Sequence, residues 1–149
     1  ETRNAIKNGA DEIDYVVNLT KLKAGDTAYI ESEMARITDI CREFSVVSKV
    51  IFENCYLTED EKKTLCHIAT KVKPDFIKTS TGFGTGGATF EDVALMKRET
   101  EGSGVKIKAA GGIRTLKTAL EMINLGVSRI GSTSSVAIME EYMAHSPLL

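Results

Sequence analysis

The sequence predicts an α/β protein built on a mostly parallel sheet, and three observations carry that reading. Short apolar strand patterns alternate along the chain with segments of helical periodicity. Successive strand patterns lie roughly 25 to 35 residues apart, which suits strand–helix units. Glycine-rich turns follow the later strands, where the chain must reverse tightly.

"ETRNAIKNG" reads as the end of a helix, with Gly9 as its stop. The first strand is "EIDYVVN", residues 12–18. Ile30, Met34, Ile37, Cys41 and Phe44 then recur at helical spacing. The second strand is "SVVSKVIFE", residues 45–53. Thr58 and Glu61 form a capping-box signature ahead of a helix whose apolar positions are Leu65, Ile68, Ala69 and Val72. "DFIKTS", residues 75–80, is the third strand, and a helix is predicted from Thr89 onward. "GVKIKAA", residues 104–110, precedes a helix that starts near Leu116 and stops before Gly126. The fifth strand is "VSRIGS", residues 127–132, and the tail from Ser134 begins as a helix.

A chain of 149 residues is long enough for one domain, 1–149, with its own core. The apolar content of 42% and charged content of 27% are those of an ordinary globular protein. A formal net charge of -2 offers no electrostatic basis for binding nucleic acid or an anionic membrane. No apolar run is long enough to span a bilayer. Cys41, Cys55 and Cys66 are odd in number and lack CxxC spacing, so free thiols in a reducing, cytoplasmic compartment are expected. His67 and His145 lie far apart in sequence, and no metal site or cofactor is expected.

Two architectures fit this order: an open doubly wound sheet, or part of a (β/α)8 barrel. The open sheet would usually carry a nucleotide-phosphate loop after its first strand. "EIDYVVNLTKLKAGD" contains neither a G-x-G-x-x-G nor a Walker loop. Glycine-rich turns after the third, fourth and fifth strands favour the barrel. A complete barrel needs about eight strands and roughly 250 residues. The expectation is therefore a partial barrel of about five βα units, with about three units lacking on the N-terminal side. Such a piece would expose sheet edges and apolar surface, so association with a copy of itself is expected.

Strand alternation sorts the side chains onto two faces. Ile13, Tyr15 and Val17 share an apolar face suited to helices, while Glu12, Asp14, Val16 and Asn18 share the other. Phe76, Lys78 and Ser80 lie together, and Lys106 and Lys108 point away from the helix-facing Val105 and Ile107. Asp14, Lys78 and Lys108 can thus point into one interior, whereas Lys106, two residues deeper, is expected to snorkel to the other end. A desolvated lysine beside a second cation has a lowered pKa, and a neutral amine can attack a carbonyl to form a Schiff base. A structural Lys–Asp pair is the alternative. "STGFGTGG", "AAGGIR" and "IGSTSS" close three consecutive strands and could hold phosphate on backbone N–H groups. Ordinary strand–helix turns are the alternative there.

These residues carry a resemblance to a known family. "NGADEIDYVVN", "AGD", "ENCYLTEDEK", "FIKTSTGF", "VKIKAAGGIRT" and "RIGSTSS" run in order across nearly the whole chain and resemble the deoxyribose-phosphate aldolases, class I aldolases on a TIM barrel. The pair "FIKTSTG" and "KAAGGIRT" is specific, whereas "GGIR" alone would not be. The resemblance implies that Lys78 is the Schiff-base nucleophile, Lys108 its perturbing partner, and Asp14 a member of the proton relay. Asp11 is expected to be a surface or turn residue. A substrate phosphate would sit among Gly82, Gly111, Gly112, Gly131, Thr133 and Ser134. The implied reaction is reversible cleavage of 2-deoxy-D-ribose 5-phosphate to acetaldehyde and D-glyceraldehyde 3-phosphate, without metal or organic cofactor. Another Schiff-base phosphosugar aldolase, or a non-catalytic phosphate-binding partial barrel, would share these features.

Overall fold

The computed structural model describes residues 1–145. Five parallel strands form one sheet in sequence order: β1 (Glu12–Val16), β2 (Val47–Ile51), β3 (Phe76–Lys78), β4 (Lys106–Ala110) and β5 (Arg129–Gly131). Every connection between neighbouring strands contains helix: α2 (Leu19–Lys23) and α3 (Thr27–Glu43), then α4 (Glu59–Val72), α5 (Phe90–Glu99) and α6 (Leu116–Asn124). Before the sheet lies α1 (Thr2–Lys7), and after it α7 (Ser135–His145). The sequential order of parallel neighbours is that of consecutive barrel staves, so the molecule is an open partial (β/α) barrel. The end of the tail, residues 146–149, lies outside the described residues.

Local chemistry sets the boundaries. Thr58 accepts from the Glu61 N–H while the Glu61 carboxylate accepts from the Thr58 N–H, which closes the expected capping box at the start of α4. Thr89 and Thr115 cap α5 and α6 with their hydroxyls. Gly9 and Gly126 follow the ends of α1 and α6 with left-handed φ values of 97° and 101°.

The strands are shorter than the sequence suggests, for identifiable reasons. Asn18 does not extend β1, because its side chain caps α2 by accepting from the Lys21 N–H. That short helix is not foreseen in the sequence. Ser45 and Val46 form the turn that closes off α3 instead of extending β2: Ser45 has a φ of 55°, and the Val46 N–H donates to the Cys41 carbonyl. Beyond β2, Glu53 takes a φ of 57° and leads into a 3-10 turn, Asn54–Tyr56.

The core lies between the sheet and its helices. Val50, Ile77, Ile107 and Ala109 project from the strands onto Ile30, Met34, Leu65, Val93, Met96 and Met122 of the helices. Full burial of each Val, Leu, Ile or Met among them is worth roughly 1.5–3 kcal/mol. Tyr15 and Val17 pack on this side, and Ile13, on the same face of β1, is buried, as alternation requires. The opposite, concave face carries the charged side chains. No helix among the described residues is long and apolar enough to cross a membrane.

Candidate active site

Lys78 and Lys108 are register partners on β3 and β4, so their side chains leave adjacent strands side by side on the concave face. Asp14 stands on β1 opposite Lys49 of β2. Its carboxylate draws three lysines together. Oδ1 accepts from Lys49 Nζ at 2.5 Å, and Oδ2 accepts from Lys78 Nζ at 2.8 Å and Lys108 Nζ at 3.5 Å. The structure thus unites the three residues singled out in the sequence. Lys78 is only 9% exposed.

Lys49 went unrecognised in the sequence, although it is 2% exposed and anchors the arrangement. Its ammonium also contacts Glu12 Oε2 at 2.6 Å, and the same oxygen accepts from Arg129 at 2.5 Å. Glu12 therefore links the first strand to the last across the concave face. Phe76 floors this layer, with Arg129 4.9 Å and Lys106 5.6 Å from its ring centre. The signal for Lys49 was available: period-2 alternation through "VSKVI" turns a lysine inward from an apolar strand.

The electrostatics follow from this crowding. Burial resists ionisation of Asp14, but hydrogen bonds from Lys49 and Lys78, together with their charges, prevail and hold it down to about 2. Burial lowers the pKa of Lys108; Asp14 opposes that shift, and the Lys78 and Lys49 charges add to it. Lys49, Lys78, Lys108 and Arg129 outnumber the two carboxylates of this network, leaving a positive excess suited to an anion.

The strand ends open into a cleft of about 400 Å3. Lys78 and Lys108 line it with Gly82, Gly111, Gly112, Gly131 and Thr133, five of the six residues expected around phosphate. Ser134 is not in its wall, and its N–H donates to Ser132 Oγ. Thr81, Ser132 and Arg114 also line the cleft; Arg114 follows the glycine pair of "AAGGIR" and adds a cation that the sequence reading passed over. Gly87 and Gly111 explain why two of the loops are glycine-rich. A Cβ on Gly87 would overlap the Gly111 carbonyl, so the loops after β3 and β4 meet backbone on backbone. The Ala88 N–H holds that contact by donating to the carbonyls of Ala110 and Gly111. Another hollow, of about 440 Å3, lies between α1 and α3 and is lined by no lysine.

Parallel βα units with their polar cleft at the carboxyl ends of the strands define a protein of the TIM-barrel class. Residues 1–133 match the DeoC/LacD family aldolase profile, and the chain belongs to that family. Over 140 residues it is 58% identical to a protein named deoxyribose-phosphate aldolase from Lactobacillus acidophilus, covering 94% of this chain and 59% of that one. Among solved structures, "QR15, an Aldolase" superposes with a TM-score of 0.87 at 42% identity, covering 96% of this chain and 63% of its own. The deoxyribose phosphate aldolase from Aeropyrum pernix, described as a unique tetrameric structure, gives a TM-score of 0.83 at 26% identity over 97% and 60% of the two chains. The chain thus spans about three fifths of the length of these relatives.

Proposed function

We propose that the full-length protein is a deoxyribose-phosphate aldolase that works through a Schiff base on Lys78. One observation carries the reading: Lys78 and Lys108 share Asp14 Oδ2 and line a glycine-rich cleft, on a chain of this aldolase family. The Lys78 amine attacks the aldehyde carbon of 2-deoxy-D-ribose 5-phosphate, and loss of water gives the iminium. Removal of the proton from the C3 hydroxyl turns C3 into a carbonyl and breaks the C2–C3 bond. The electron pair moves into the iminium, forming an enamine and releasing D-glyceraldehyde 3-phosphate. Protonation at C2 and hydrolysis then free acetaldehyde and restore the amine.

Asp14 and Lys108 serve the proton steps. Asp14, ionised above about pH 2, is an acceptor already bonded to the Lys78 nitrogen. Burial lowers the pKa of Lys108, which makes it a readier proton donor than an ordinary lysine. The substrate phosphate lies against Gly82, Gly111, Gly112, Gly131 and Thr133, with Ser134 beside them at the start of α7 and Arg114 at the rim. The partner is thus a small phosphosugar, not nucleic acid or membrane, and no cofactor takes part.

Residues 1–149 act as one domain, the C-terminal portion of the barrel. Half-exposed Ile123, Met139 and Tyr142 around an apolar groove between α6 and α7 support burial of this side in an oligomer or against further βα units. Three free cysteines support a reducing cytoplasm.

Product analysis on the full-length chain tests the activity. Deoxyribose 5-phosphate should yield acetaldehyde and glyceraldehyde 3-phosphate, and other sugar phosphates should not be cleaved. Cleavage of a different phosphosugar alone would assign a sibling aldolase, and binding without turnover would assign a non-catalytic barrel.

A further inference from the structure

Glu53 stands two residues beyond the end of β2, outside the lysine network, and several features single it out. It is a non-glycine residue in the left-handed region, with φ and ψ both 57°. It is charged yet only 5% exposed. The ladder to the next strand slips at this point. The Phe52 N–H donates to the Lys78 carbonyl, but the Asn54 N–H donates to the very next carbonyl, that of Thr79. Two residues therefore advance on one side against one on the other, the bulge geometry that re-aims a side chain beside a site.

The re-aimed carboxylate reaches the loop after β3. Oε1 accepts from the Thr81 N–H at 3.0 Å, and Oε2 accepts from the Thr81 hydroxyl at 2.5 Å. The same hydroxyl oxygen accepts from the Phe83 N–H at 3.0 Å. These bonds close the turn over Gly82, whose φ is 94°. Gly84 lies against this side chain, and a Cβ there would crowd the Glu53 carboxyl and the Cys55 sulfur. The Phe83 side chain adds no packing at this end of the loop, being 97% exposed, and the Ala88 bonds hold only the far end of the loop. Yet Thr81 and Gly82 line the cleft.

We propose that Glu53 is a positioning residue that latches the Thr81–Gly82 turn and thereby sets the phosphate end of the cleft without touching the reacting carbons. The inference deepens the aldolase reading and rests on it for the identity of the substrate. A carboxylate near an anion site would ordinarily repel the anion. Here both of its oxygens are engaged by Thr81 donors, so its work is done on the loop. If its charge dominated instead, neutralising it would tighten phosphate binding.

Glu53→Gln and Glu53→Gly in the full-length chain separate these outcomes. Glutamine keeps an acceptor for one Thr81 bond. Glycine removes both bonds but accepts the left-handed backbone without strain, so folding is spared. Hydrogen bonds to a charged acceptor set the scale: KM for deoxyribose 5-phosphate should rise about tenfold in Glu53→Gly and less in Glu53→Gln. With that substrate kcat should stay within about twofold, and kcat/KM for unphosphorylated 2-deoxyribose should not change. Equal losses on both substrates, an unchanged KM, or tighter phosphate binding would overturn the proposal. Calorimetry with inorganic phosphate keeps the inference separate from the aldolase reading. Should the wild type cleave neither sugar, that reading fails. The latch then stands if phosphate binds about tenfold more weakly to Glu53→Gly, and falls if the affinity is equal or higher.

Discussion

Ile107 and Lys108 are neighbours on one strand, and they belong to two different environments. Ile107 points to the helices and is buried with Ile77 and Val50. Lys108 points to the concave face and joins Lys78 on the Asp14 carboxylate. The helix side of the sheet is sealed by apolar side chains whose burial favours the fold. The concave side gathers cations around two carboxylates, an arrangement that adds little net stability because desolvation offsets attraction. Period-2 alternation thus gives one strand a packed face and a charged face; if the charged face carries the proposed aldol chemistry, substitutions one residue apart should separate folding from activity.

The largest difference is expected at Lys108. Lys108→Leu should lower turnover of deoxyribose 5-phosphate by about 10²–10⁴-fold, the usual worth of a positioned proton-transfer group. Its unfolding free energy should stay within about 1 kcal/mol of wild type, since Asp14 keeps Lys49 and Lys78. Paired activity and denaturant-melt measurements check this. Ile107→Ala should show the converse: a loss of about 3 kcal/mol of stability by urea unfolding, with turnover per folded molecule little changed. A large activity loss in the isoleucine variant, without unfolding, would break the division.

The smallest effect is on the acid limb. The Asp14 pKa lies below its ordinary value, falling from 3.8 to about 2. Ionised Asp14 therefore stabilises the fold fully above about pH 4, and that contribution fades as pH falls toward 2. Asp14→Asn should be less stable at neutral pH, because Lys78 and Lys49 lose their shared carboxylate. Its stability should also fall less steeply across this acid window, as urea melts at stepped pH would show.

Much of this division was legible in the sequence. The capping box at Thr58 and Glu61, the stops at Gly9 and Gly126, and the inward set of Asp14, Lys78 and Lys108 all follow from local spacing. The trimmed strand ends were not legible. Ser45 and Glu53 turn left-handed, a conformation uncommon for residues other than glycine, so propensity gives little warning of it. Alternation turns Lys49 inward, but it does not reveal what the lysine meets there. Its role depends on Glu12 and Asp14, which approach it only when β1 and β2 pair. The Glu53–Thr81 bonds join residues far apart in the chain and leave no local pattern.

The most direct test asks whether the concave face performs amine chemistry. The full-length chain would be incubated with acetaldehyde, reduced with sodium borohydride and mapped by peptide mass spectrometry. Reduction fixes an imine as a stable ethyl adduct on the lysine that formed it. The expected result is selective modification of Lys78, lost or strongly weakened in Lys108→Leu. Absence of an adduct on Lys78, or labelling spread evenly over Lys49, Lys78, Lys108 and the surface lysines, would contradict the Schiff-base account and leave the cleft as a phosphate-binding scaffold.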